Sequence, residues 1–221
     1  MGNLQKEIKS KHYIQGLIEE GEHEHQDFKY QISDARKIAR SISAFANNDG
    51  GRLLVGVKDN GNIIGVESDE EIYMIEQAAT MYCRPAQRIE FSIYKVEGKS
   101  VLKVDIKVAI KKPVQAQDDD GKWHTYYRVA DENILAHPLH VKLLRQYDAE
   151  NGTQLTYGNG EREIIEIVRR QGNATVEECV RQAHSSRYSV EMSLLALCRI
   201  GTLSVKYDGS RFMLVMGNDV Q

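Results

Sequence analysis

Phe45-Ala46-Asn47-Asn48-Asp49-Gly50-Gly51-Arg52-Leu53-Leu54-Val55-Gly56-Val57-Lys58-Asp59 is the stretch on which the reading of this 221-residue chain turns. Upstream of it, Ala35, Ile38, Ala39, Ile42, Phe45 and Ala46 recur at three and four residues, the apolar stripe of an amphipathic helix. Asn47 to Gly51 stops that helix, because Asn and Gly tolerate the left-handed backbone of a C-cap. Leu53 to Val57 then carries apolar or small residues on both faces, the pattern of a strand buried on both sides. Asp59-Asn60-Gly61-Asn62 turns the chain and Ile63 to Val66 returns it.

Working outward, the spacing predicts an opening helix over Leu4 to Glu20, with Ile8, Tyr13, Leu17 and Ile18 inward. A charged segment, Glu22 to Asp27, leads into a short strand ending at Tyr30, with Phe28 and Tyr30 on one face and Asp27 and Lys29 on the other. Ser68 and Glu71 have capping-box spacing ahead of a helix carrying Ile72, Ile75 and Ala79, which Arg84-Pro85 ends. Ile89 to Tyr94 and Ser100 to Ile106 alternate around Glu97-Gly98 as a hairpin. Lys111-Lys112-Pro113 breaks the pattern, Asp118 to Gly121 turns, and Trp123 to Val129 forms another strand. Pro138 opens a helix running to about Tyr147. Residues 1–147 therefore read as an α+β domain, a mixed sheet packed by helices.

Residues 148–157 lack periodic apolar positions and read as a linker. Beyond it, Glu163 to Arg170 forms a helix, Thr175 with Glu178 caps a second, and Ser185 or Ser186 caps a third that Gly201 ends. Leu203 to Lys206 and Arg211 to Val215 flank Tyr207-Asp208-Gly209-Ser210 as a hairpin. Three short helices followed by a hairpin are the order of a winged helix-turn-helix, over residues 158–221.

Composition is that of an ordinary globular protein, 41% hydrophobic and 28% charged, with a formal charge of −3. No global basic field exists, so contact with nucleic acid must come from a local patch. Residues 158–221 hold eight basic and eight acidic side chains, so even that module depends on placement. Cys83, Cys179 and Cys198 are odd in number and lack metal-ligand spacing, which points to reduced, buried thiols. No apolar run is long enough to span a membrane and the chain opens on polar and charged residues; a cytoplasmic protein is the expectation.

Four landmarks together resemble the Schlafen AlbA-like DNA-binding domain, over about Glu22 to Leu144. They are Glu22 with Asp27-Phe28-Lys29; Phe45-Ala46-Asn47 to Gly50-Gly51; Gly56 to Asp59 with Gly61 and Gly65; and Tyr126-Tyr127-Arg128-Val129. Ala130 stands where the family carries Gly. With the C-terminal module, the layout is similar to that of bacterial transcriptional regulators. The resemblance implies DNA as partner, a homodimer, and no cofactor.

The site residues expected on this reading are Ser185, Ser186, Arg187, Tyr188 and Ser189 at the start of a recognition helix, with Lys206 and Arg211 in the wing. In the first domain they are Lys111, Lys112 and Arg128, of which Arg128 has a rival role as partner of a carboxylate. The resemblance also offers an enzyme alternative, a metal-dependent RNA endonuclease in which Glu22, Asp27 and Asp59 converge on Mg²⁺ or Mn²⁺. A protein-interaction adaptor is a third class. His23-Glu24-His25 has no Cys beside it and is read as a polar segment without metal. Gly50-Gly51 follows a helix C-terminus, whose dipole repels phosphate, and no Walker pattern exists, so ATP is not expected.

Overall fold

A computed structural model describes residues 2–66, 70–145 and 157–217, with side chains from Lys11 onward. Two compact units are present, residues 1–136 and 137–221. Unit one is α+β. In chain order it contains α1 (Gly2–Glu19), β1 (Gln26–Lys29), α2 (Ala35–Asn47), β2 (Gly51–Val55), α3 (Glu70–Thr80), β3 (Cys83–Arg84), β4 (Ile89–Val96), β5 (Lys99–Ile106), β6 (Gln115–Gln117), β7 (Trp123–Val129) and β8 (Glu132–Leu135).

Two four-stranded sheets replace the single sheet expected, one ordered β1-β2-β5-β4 and the other β3-β6-β7-β8. In the first, β1 runs parallel to β2 with Phe28 opposite Leu54, and the other pairings are antiparallel. Alternation along β2 sorts its side chains: Leu53 and Val55 join α2 and α3 in one core, while Leu54 joins Ile14, Leu17 and Phe28 in the other. The strand is thus buried on both faces, as its composition predicts. Leu17 is buried as expected and Ile14, fully buried, joins it on the inward side of α1, while Tyr13 is half-exposed.

Helix α2 has the second sheet against it as well. Ser43 Oγ donates to Val114 O (2.8 Å) and accepts from Tyr126 N (3.2 Å). Asn47 Nδ2 donates to Val114 O (2.8 Å) and Tyr126 O (2.9 Å), and its Oδ1 accepts from Val114 N (2.7 Å). Asn48 repeats the arrangement on Arg128, donating to its O (2.8 Å) and accepting from its N (3.1 Å). The helix then ends under two glycines with different constraints. Gly50 has φ 77°, and a side chain there would meet Ile106 O at 2.8 Å. A Cβ on Gly51 would sit 2.3 Å from the ring of Phe45.

Several elements depart from expectation. Helix α3 ends at Thr80, before Arg84-Pro85, and Arg84 instead lies in β3. Val57 makes only an isolated bridge to Ile63, so no return strand forms at Ile63 to Val66. Strands β6 and β8 have no counterpart in the sequence pattern. Ala130, with φ 50°, turns β7 into β8, so the alanine adopts the conformation for which glycine is usual. Ser68 and most of the 148–157 linker lie outside the described residues.

Unit two holds α4 (Pro138–Arg145), α5 (Asn159–Gln171), α6 (Val176–Gln182), α7 (Arg187–Arg199), β9 (Leu203–Tyr207) and β10 (Phe212–Met216). Ile164, Val168, Leu194, Leu197, Leu203 and Leu214 form its core. Leu139 of α4 is buried in the same core and Lys142 pairs with Glu191 (2.5 Å). Residues 138–145 therefore belong to this unit and not to the first domain, because the apolar positions of α4 find their partners on α7. Ala174, ahead of α6, bridges Leu214 of β10.

Asn47→Ala removes the carboxamide's bonds to Ser43, Val114 and Tyr126 at a buried site and leaves Val114 N without an acceptor, at 1–3 kcal/mol or more for such groups. The expected loss is about 3 kcal/mol of unfolding free energy, read as a lower urea midpoint at unchanged m-value.

Candidate nucleic-acid interface

The first cluster of functional candidates is assembled by a buried arginine. Arg128, 1% exposed, projects from β7 toward β1. Its Nη2 donates to Gln26 O (3.2 Å) and reaches Asp27 Oδ1 (3.6 Å); its Nη1 donates to Asn133 Oδ1 (3.0 Å). The guanidinium lies 5.0 Å over the ring of Phe45. A buried cation of this kind is tolerable only because its donors are met and a carboxylate stands beside it. Arg128 is therefore a tie between the two sheets, and the expectation that it contacts phosphate is corrected.

Asp27 is buried with it. Lys29 Nζ approaches its Oδ2 at 2.8 Å and Ser41 Oγ at 3.4 Å. Glu22 stands next in line: its Oε1 accepts from Phe28 N (2.8 Å) and its carboxyl is hydrogen-bonded to Asp27. Burial, that hydrogen bond and the charge of Asp27 push Glu22 up to about 7, while Phe28 N–H and Lys29 pull the other way. Asp59, by contrast, is exposed in the turn after Val57. No group of three or more His, Cys, Asp or Glu among the described residues is arranged to hold a metal ion. The structure thus brings Glu22 and Asp27 together but does not add Asp59 to them.

Lys112 is also committed internally, donating to Asn47 O (2.7 Å) and Asn48 O (3.0 Å) at the negative end of α2. Lys111 is exposed. Arg84 lies 5.7 Å over the ring of Trp123. Gln26, fully buried, went unremarked in the sequence; its amide joins Leu17 O, Gly21 O and Arg52 Nε. A glutamine placed directly before Asp27-Phe28-Lys29 at the strand start was the available signal.

In unit two, Ser185 to Ser189 are exposed together, with Tyr188 at 75%. Ser186 is the N-cap of α7, its hydroxyl accepting from Ser189 N (3.2 Å). The turn before α7 is pinned to α5, since Glu163 accepts from His184 N (3.1 Å) and contacts its Nδ1 (2.5 Å). This pairing holds Glu163 below the usual carboxylate range and raises His184. Arg187 pairs with Glu191 (3.4 Å) and Arg211 with Asp208 (3.7 Å), both over one turn or less and both exposed. Exposed pairs of this kind are worth little and yield readily to a competing phosphate. Lys206 lies on β9, half-buried.

The profile of the family described as Schlafen, AlbA_2 matches residues 22–137, a span that begins at Glu22 and takes in Asp27, Asn47 and Arg128. The chain belongs to the Schlafen AlbA_2 family. The match ends where unit one gives way to α4. The structure of the DIP2311 protein from Corynebacterium diphtheriae is similar over 82% of this chain, at 21% identity and a TM-score of 0.46. The present chain spans 37% of the length of that one. The N-terminal domain of a RecG-related protein from Nitrosomonas europaea is similar over 58% of this chain and 95% of its own, at 22% identity and a TM-score of 0.38. No curated protein matches the chain. Among the described residues no helix is long and apolar enough to cross a membrane.

The Glu22–Asp27 pair has a pH consequence whose sign is opposite to that of an ordinary salt-bridged acid. Because the folded state raises Glu22, it binds more protons than the unfolded chain between about pH 4.5 and 7, so stability falls as pH rises through that window. Glu22→Gln keeps an acceptor for Phe28 N and removes the titration. The variant is expected to lose less stability than the parent between pH 5 and 8, the difference being on the order of 1 kcal/mol once solvent screening of this partly exposed group is allowed for. Urea unfolding at the two pH values reads it.

Proposed function

We propose that the protein binds DNA as a transcriptional regulator, with unit two as a winged helix-turn-helix that reads sequence and the AlbA_2 domain as its second nucleic-acid-associating part. Membership of the AlbA_2 family supports association with nucleic acid. The observation that carries the sequence-reading role is the exposed first turn of α7. Helices α5, α6 and α7 are followed by the β9–β10 hairpin, and the bridge from Ala174 to Leu214 ties the hairpin back ahead of α6. Such an order presents the start of its third helix to the major groove. Arg187 there matches the bidentate edge of guanine, Ser185 and Ser189 suit phosphate or base edges, and Tyr188 stands clear for sugar or base contact. Ser186 serves by holding the turn. Arg211 and Lys206 in the hairpin add phosphate contacts.

A metal-dependent nuclease would need a further donor beside Glu22 and Asp27, and Arg128 and Lys29 already engage Asp27; DNA binding is the better-supported reading. The protein acts as a cytoplasmic homodimer in this proposal, since paired half-sites match a two-fold protein.

Selection from random-sequence DNA by the full chain is expected to enrich a motif, and Arg187→Ala to relax it at one guanine position by about 1–3 kcal/mol. Enrichment unchanged by the substitution would overturn the assignment of α7. Light scattering across the working concentration range is expected to give a dimer, and a monomer throughout refutes that part.

A further inference from the structure

We propose that Arg36 and Arg40, one turn apart on α2, form a phosphodiester-binding pair within the AlbA_2 domain, so that this domain grips the backbone of a nucleic-acid strand while unit two reads bases. The inference rests on the nucleic-acid reading above but places the backbone contacts on residues outside every motif that pointed to it. Residues four apart share one face of a helix, about 6 Å along its axis. Each guanidinium is stacked on an aromatic ring, Arg36 at 4.6 Å from the centroid of Tyr82 and Arg40 at 6.0 Å from that of Tyr126. Tyr82 lies just ahead of β3 and Tyr126 on β7, so the second sheet holds both arginines in place.

What points to a ligand is the scarcity of acceptors around the two guanidinium groups. Nε of Arg36 and Nε of Arg40 find no acceptor and are closed to solvent, so a phosphate oxygen cannot reach them either. It is the outer Nη groups of these half-buried side chains that stand open to an incoming oxygen. Among the described residues, the acid facing the pair is Asp119, 3.8 Å from Nη2 of Arg40 and itself 69% exposed on the β6–β7 turn. Asp34 takes the N-cap of α2 through Arg36 N, not the guanidinium, and Asp118 is engaged by His124 (2.8 Å). Two pre-positioned planar forks, stacked and short of acceptors, suit the oxygens of phosphodiesters. A ring beneath each fork holds it rigid, so that less rotamer entropy is lost on binding.

The test is fluorescence anisotropy of the full chain on a labelled duplex DNA and a labelled single-stranded RNA, each of arbitrary sequence, from low to moderate salt. Arg36→Gln with Arg40→Gln is expected to lower the slope of log K against log salt by about 2 and to weaken binding about tenfold at ~100 mM salt. Loss on both probes, or on one, supports the pair and tells which polymer it holds. Asp119→Asn removes the competing carboxylate and is expected to tighten binding two- to threefold, roughly the worth of one exposed pair; simple damage to the fold would not produce that gain. A double variant with parental slope and affinity overturns the proposal; if Arg187→Ala still relaxes selection, the regulator reading survives it. Should the double variant fail to fold, an Asp119→Asn protein without tightening overturns the proposal by itself. A parental chain that binds neither probe at low salt removes both readings.

Discussion

A helix whose end is enclosed between two sheets must satisfy its last carbonyls without water, and this requirement organises the AlbA_2 domain. The terminal carbonyls of any helix lack intrahelical partners, and α2 ends where solvent is largely excluded, Asn47 being 2% exposed. Backbone amides meet three of them, Asn48 N donating to Ala44 O (3.1 Å), Gly50 N to Phe45 O (2.9 Å) and Ala109 N to Ala46 O (2.9 Å). Lys112 donates to the carbonyls of Asn47 and Asn48, and the two carboxamides reach outward to the backbone of Val114, Tyr126 and Arg128. A carboxamide offers donor and acceptor at one end, which is what strand backbone presents in return. Gly50 and Gly51 then let the chain pass Ile106 and Phe45 closely enough to enter β2 at once.

The same logic accounts for the acidic and basic residues of the domain. Arg128 crosses from one sheet to the other, and its charge draws in Asp27, against which Glu22 then sits. Three groups that look like chemistry in a linear reading are therefore joined in one internal network. Its effect is to lock β7 onto β1 and to leave the outward-facing cations, on α2, α7 and the β9–β10 hairpin, as the surfaces open to a partner. In unit two, Arg187 and Arg211 are each held by a neighbouring acid through weak exposed pairs.

Much of this was legible in advance where a local signal existed. The stripe of α2, the two-sided burial of β2, the hairpin at Glu97-Gly98 and the capping box of Thr175 with Glu178 all follow from short-range pattern. Strands β6 and β8 did not, because three or four residues supply too few alternations to show a period, and both lie beside turns. The helix at Pro138 is legible but its unit is not, since periodicity marks an apolar face without saying what covers it. Arg36 and Arg40 are silent in the sequence for a related reason: as two charges on a polar face they read as solvated, and only the rings of Tyr82 and Tyr126 distinguish them.

The sequence by itself determined where helix α2 stops and the buried strand begins, that the chain is α+β, and that a helical module with a hairpin follows. Each of these rests on propensity and period within some fifteen residues, where the chain's own covalent geometry brings the relevant groups together. Only the tertiary structure decided which charges face inward. Arg128 meets Asp27 across about a hundred residues of chain, and Arg187 faces solvent, yet the two have identical side chains and are both flanked by a tyrosine. Burial and partnership are properties of the assembled layers, and they separate an arginine that ties sheets from one left at the surface in a weak exposed pair.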